Sequence, residues 1–153
     1  MSAGRLDQSV RAVGNDCDDY VAVMSWTRAL FSWLLIVVAE TIHGVARQTF
    51  LAPVVGDFRA RQIGVPIGCL IVFFIACATI RWIGARTTVE QIKIGLAWVV
   101  LIVTFEVGLG LALGYSRERI LSDYNLFNGG YMGAGLVFML FAPALAARIR
   151  GVG

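Results

Sequence analysis

Four stretches of this chain, at about residues 26–48, 63–80, 94–115 and 129–147, are apolar for longer than a water-soluble domain can bury. Crossing the hydrocarbon of a bilayer takes about 17–25 predominantly apolar residues in a helix, and each stretch has that length. Composition agrees: 58% of the residues are hydrophobic and 15% charged, where a soluble domain has roughly 45–50% apolar residues. The expected fold class is all-α, a four-transmembrane-helix bundle over about residues 26–150, and little chain remains for a soluble domain. The partner this implies is the lipid bilayer.

The net charge of +3 does not point to nucleic acid. Lys and Arg are scattered over both termini and all three loops, with no basic helix and no basic patch interleaved with aromatics, so nucleic acid is excluded as a partner. Cys17 lies in a polar leader, and Cys69 and Cys77 lie inside the second span. No CxxC pair or metal spacing is present, so the span cysteines read as small hydrophobes.

Arg11, Arg28, Arg81, Arg86, Lys93, Arg148 and Arg150 flank the spans on the side of both termini, against Arg47, Arg59, Arg61, Arg117 and Arg119 on the other. The excess favours cytoplasmic termini. Trp26, Trp82 and Trp98 are expected near one membrane interface, and Tyr115 and Tyr131 near the other. Residues 1–25 form a polar leader carrying Asp16, Asp18 and Asp19, and a start at Met24 would account for its different character. From Met24 the chain superficially resembles a signal peptide. Cleavage is not expected, because the helical pattern continues through Glu40 to Leu51, where Pro53 should stop it.

The shift that lays Glu40 on Glu106 also lays Leu35-Ile36-Val37 on Leu101-Ile102-Val103, Gly44 on Gly110, Asp57 on Asp123 and Gly64 on Gly130. Acids are scarce here, so two acid pairs in register suggest two parallel helical-hairpin repeats related by an axis along the membrane normal. At about 1.5 Å per residue, Glu40 is about 21 Å from Trp26 and Glu106 about 18 Å from Ile94, at matched depth in the outer half of the membrane. The two acids are then expected to face each other across the bundle.

Each charge left at the bilayer centre costs roughly 2.5–3.5 kcal/mol, so Glu40 and Glu106 must be protonated, paired or hydrated. His43, Gly44 and Arg47 fall within about 60° of Glu40 on a helical wheel, making one polar face. Gly110 and Gly114 follow Glu106 as a small-residue stripe that should turn it toward protein. Burial and mutual repulsion oppose the influence of Arg47 and His43, so coupled titration is expected.

Three readings follow. Pairing of Glu40 or Glu106 with Arg47 would lock helices together and suit an accessory or scaffold subunit. A proton-coupled or ion-binding site at the repeat interface would suit a small binding or transport protein. Glu40, His43 and Glu106 could make at most a mononuclear metal set, because carboxylate-bridged di-iron bundles need two Glu-x-x-His motifs and the repeat partner of His43 is Leu109. With one histidine, a bis-histidine haem is excluded, and no cofactor is expected. No Ser-His-Asp set, phosphate loop or zinc motif can be assembled, so an enzyme is the least favoured class.

Asp57, Arg59 and Arg61 in one outer loop and Arg117, Glu118, Arg119 and Asp123 in the other place positive charge on the unexpected side. These arginines either pair with nearby acids and lipid head groups or form a mouth that attracts an anionic ligand. Pro66 and Pro143 lie inside spans, where neighbouring helices can satisfy the freed carbonyls. Gly130, Gly133 and Gly135 open the fourth span and suit close packing.

The stretches Ala39-Glu40-Thr-Ile-His43-Gly44, Gly56-Asp57-Phe-Arg59-Ala-Arg61-Gln62-Ile-Gly64 and Arg119-Ile-Leu-Ser-Asp123-Tyr124-Asn125 resemble those of small four-helix membrane proteins of proteobacteria, a group with no assigned activity. The resemblance covers roughly residues 25–150 and implies a bacterial inner-membrane location. Four spans with an acid in the first are shared with small multidrug transporters, but this chain is longer and has a second mid-span acid, so nothing is carried over. Four spans are few to enclose a pathway, so a homo-oligomer or a partner membrane protein is expected.

Overall fold

The computed structural model describes residues 24–114, 116, 118 and 130–152. Four helices long and apolar enough to span a membrane hold most of them: α1, Trp26–Val55; α2, Asp57–Ile83; α3, Thr88–Ala112; and α4, Met132–Arg150. No strand occurs among the described residues, and the fold is the all-α four-helix bundle that the apolar pattern predicts. Residues 1–23 of the leader, and Arg117, Arg119 and Asp123, lie outside the described residues.

The helix ends near the termini are closed by local chemistry. Ser25 caps α1 through its side chain, which accepts from Arg28 N, while its backbone N–H donates to Ile83 O at 3.0 Å. Gly84, at φ 81°, ends α2 in the left-handed region that glycine enters without a Cβ penalty. Thr87 and Glu90 form a reciprocal capping box at the start of α3. Gly151, at φ 64°, ends α4, and Val152 N reaches back to Ala147 O at 2.9 Å, closing a Schellman turn.

In a bilayer, apolar surface gains little by leaving lipid for protein, so helices associate by close packing, which small residues permit. α2 packs on α1 and on α4, α3 packs on α4, and α1 touches α3 only lightly. The closest approach is at Gly95 of α3, where an added Cβ would stand 2.0 Å from the Leu140 carbonyl oxygen of α4. Around it Ile80, Ile94, Trp98, Ala142 and Ala146 are fully or almost fully buried. Trp98 stands beside Trp26 and Ala29 at the end nearest the termini, but its ring is packed inside the bundle: it is 1% exposed, and its ring N–H donates to Ala29 O at 3.0 Å.

This core occupies the half of the bundle nearest the termini. Toward the other end, the buried positions among the described residues are Ala60, Gly64 and Gly110. Among the described residues, the large buried side chains gather at the end nearest the termini.

The connection between α1 and α2 departs from expectation. Pro53 does not stop α1 at Leu51. The helix widens into a π segment at Arg47–Leu51, with Ala52 N–H bonding Arg47 O, and runs on through Ala52–Val55. Pro53 has no N–H to give to the preceding turn, and the wider turn absorbs the lost bond in place of a break. Gly56, at φ 85°, then reverses the chain in one residue, so α2 begins at Asp57 and not near 63. Asp57 and Arg61 pair at 2.9 Å across one helical turn. These polar residues lower the hydropathy of a stretch that is nonetheless helical. At 30 residues α1 is about 45 Å long, against about 30 Å of hydrocarbon, so the polar turn of α2 falls at or beyond the membrane surface or α1 tilts.

The two hairpins meet through α2 and α4, but positions matched by the proposed duplication differ. Gly110 is buried, whereas a Cβ on Gly44 would meet nothing within 4 Å. The duplication stays an expectation of the sequence. α4 starts at Met132, later than expected, and Gly135 meets Val65 of α2 at ordinary van der Waals distance.

Gly95→Ala is expected to lower the thermal unfolding midpoint in detergent at a cost of roughly 1–3 kcal/mol, because the Leu140 backbone must shift. Gly108→Ala, whose added Cβ meets nothing within 4 Å, should stay within about 0.5 kcal/mol of wild type. Equal midpoints for the two variants would contradict the Gly95 contact.

Candidate functional site

Glu40, His43 and Arg47 share one face of α1, as the helical wheel predicts, and that face lies on α2. A Cβ on Gly68 would stand 3.0 Å from Glu40 Oε2 and 3.1 Å from Oε1, and a Cβ on Gly64 would stand 2.7 Å from Arg47 Cδ and 3.7 Å from His43 Cε1. Two glycines four residues apart, Gly64 and Gly68, thus form a shallow floor on which the polar side chains of α1 rest. Small residues at this spacing allow close helix contact in membranes. Here they admit polar side chains.

Glu40 Oε2 lies 3.1 Å from His43 Nδ1, one turn along α1. The side chains are 26% and 16% exposed, respectively. The other carboxyl oxygen, Oε1, is buried and has no hydrogen-bond partner among the described residues. Buried polar atoms are paired in the great majority of cases, and in the middle of a membrane an open acceptor is especially costly. A hydrogen bond between these atoms can be made in either of two ways. With Glu40 ionised, Nδ1–H donates to Oε2. With Glu40 protonated, its O–H donates to neutral Nδ1.

The cluster is not the buried Glu/His/Arg set that the sequence suggests. Glu40 and His43 are only half-buried. Arg47 contributes its alkyl chain, laid over Gly64, and no ion pair joins it to Glu40 or His43 among the described residues. It also opens the π segment, so the polar face ends where the helix widens. Single-turn π distortions inside α-helices occur frequently at functional sites.

Glu106 is half-buried on α3, but the described residues contain no three His, Cys, Asp or Glu able to hold a metal together. The proposed set of Glu40, His43 and Glu106 is not assembled. Glu40 faces Gly68 of α2 and not Glu106, consistent with the light contact between α1 and α3. Gly110 is buried beside Glu106 as expected, whereas Gly114, at φ 76°, lies just beyond the end of α3 and is exposed. Of the outer charges, Arg61 pairs with Asp57 and Arg59 is exposed.

The signal for the glycine floor in the sequence is the small-residue spacing of Gly64-Val-Pro-Ile-Gly68, which does not by itself say which side chains rest on it. No protein-family model, curated protein or solved structure matches this chain.

Gly68→Ala is expected to destabilise the wild type, because its Cβ meets both carboxyl oxygens, and to cost less in a Glu40→Ala background. The coupling in a double-mutant cycle by thermal unfolding should be about 0.5–3 kcal/mol. Additive costs would mean that Glu40 does not rest on Gly68.

Proposed function

We propose that this chain is a multi-pass protein of a bacterial inner membrane, with both termini cytoplasmic, in which Glu40 and His43 form a proton-exchanging site for binding or moving a small ion or solute. The observation that carries this reading is the open acceptor at Glu40 Oε1, buried beside an oxygen already engaged by His43. A carboxylate kept for structure alone would be expected to use both oxygens, since leaving one unsatisfied wastes part of the cost of placing an acid in lipid. A carboxylate that takes up and releases a cation or proton needs one oxygen available.

Membership of a larger complex, as an accessory subunit or homo-oligomer, is the second reading. It is favoured by the number of spans, four being few to enclose a pathway. This reading requires packing from the glutamates and no titration.

Proteoliposomes carrying the purified protein and an entrapped pH dye separate the two. Under an imposed pH gradient, in sodium or potassium salts, wild type is expected to dissipate the gradient faster than empty liposomes, and Glu40→Gln is expected to return to the empty-liposome rate while unfolding at a similar temperature. Identical rates for both proteins, with Glu40→Gln clearly less stable, would favour the accessory subunit.

A further inference from the structure

The end of the bundle opposite Glu40 is basic. Arg81 ends α2, Arg86 lies in the turn to α3, Lys93 follows in α3, and Arg148 and Arg150 end α4. Glu90 is the acid found there among the described residues, and its carboxylate is engaged locally, accepting from Arg86 N at 2.9 Å and Thr87 N at 3.0 Å. Other arginines at this end are also engaged. Arg28 donates to Trp82 O at 2.8 Å and lies 5.5 Å from the Trp82 ring centroid, and Arg81 donates to Arg150 O.

Arg86 and Arg148 differ. They flank an open groove of about 240 Å³ between the start of α3 and the end of α4, with Thr88, Gln91 and Val152 among its walls. Neither has an acidic side-chain partner among the described residues. The groove is firm at its base, where Gln91, 4% exposed, is held by a hydrogen bond to Ala85 O at 3.2 Å. Ala147 and Val152 add apolar lining, and outside the groove Val89 and Ile149, next in the chain to Thr88 and Arg148, are exposed.

We propose that this groove binds the phosphate of an anionic lipid headgroup, with Arg86 and Arg148 as the charge-assisted donors and the acyl chains lying along the apolar residues beside it. Guanidinium groups grip phosphate through paired N–H donors, and basic pockets between membrane helices suit anionic headgroups. The start of α3 adds partial positive charge, which the Glu90 carboxylate partly offsets. The cations of this end supply attraction in general. Arg86 and Arg148 supply a place. The inference is independent of Glu40 and His43.

Native mass spectrometry of the full chain in zwitterionic detergent tests this with phosphatidylglycerol, phosphatidylcholine of the same acyl chains, and inorganic phosphate as probes. Wild type is expected to retain phosphatidylglycerol over phosphatidylcholine and to take up no inorganic phosphate at the same concentration. Arg86→Gln and Arg148→Gln should each bind phosphatidylglycerol about fivefold more weakly, and the double variant about 30-fold more weakly. Should the double variant fail to fold, the single variants and the loss of wild-type preference in high salt serve in its place. Unchanged binding in the variants would overturn the proposal, as would equal uptake of inorganic phosphate. Binding that appears only after deletion of residues 1–23 would assign the groove to the chain's own acidic leader and also overturn it.

Discussion

The approach of α3 to α4 at Gly95 is the constraint on which the rest of the bundle depends. Lipid gives helices no reason to hide apolar surface from it, so contact must come from shape, and here the absence of one Cβ lets a helix backbone rest against the Leu140 carbonyl. The buried residues Ile94, Trp98, Ala142 and Ala146 lie around that contact. Their packing, with Trp98 bonded to the Ala29 carbonyl, also ties α1 to the pair. One end of the bundle is thereby fixed, and the glycine turns and the capping box seal it.

The opposite end differs. Among the described residues, the buried positions of the outer half are Ala60, Gly64 and Gly110. Glu40 and His43 lie there from α1, over a floor that Gly64 and Gly68 leave low. The same stretch of α1 ends in a π segment at Arg47, where Pro53 withholds its N–H. An acid with one open oxygen, a low glycine floor and a widened helix turn therefore coincide within a few turns of one helix. Each alone has an ordinary structural explanation, and their coincidence is what the proposed proton- or cation-holding site rests on.

Much of this was legible in the sequence, because its main signals are local. Apolar length fixes four spans, and the wheel positions of Glu40, His43 and Arg47 place them on one face without knowledge of any neighbour. What that face meets is a tertiary fact. Gly68 lies under Glu40 because of how α1 leans on α2, and no periodicity within α1 contains that information. Trp98 stands at the end nearest the termini, as its position along the span suggests, but the packing of its ring inside the bundle depends on neighbouring helices. The helical start of α2 at Asp57 escaped because hydropathy registers polarity, and the Asp57–Arg61 pair makes a polar turn that is also a good helix start. Gly114 looked like a packing position because its spacing from Glu106 suits one, and it instead takes the left-handed geometry just past the end of α3.

The central claim is that Glu40 and His43 are joined by a hydrogen bond at His43 Nδ1, and the chain's one histidine makes this directly observable. Nitrogen-15 NMR of histidine-labelled protein in detergent reads the ring nitrogens of His43 alone. An Nδ1 signal that carries the displacement of a hydrogen-bonded nitrogen in wild type and loses it in Glu40→Ala is the predicted result. The same Nδ1 signal in both proteins would contradict the account.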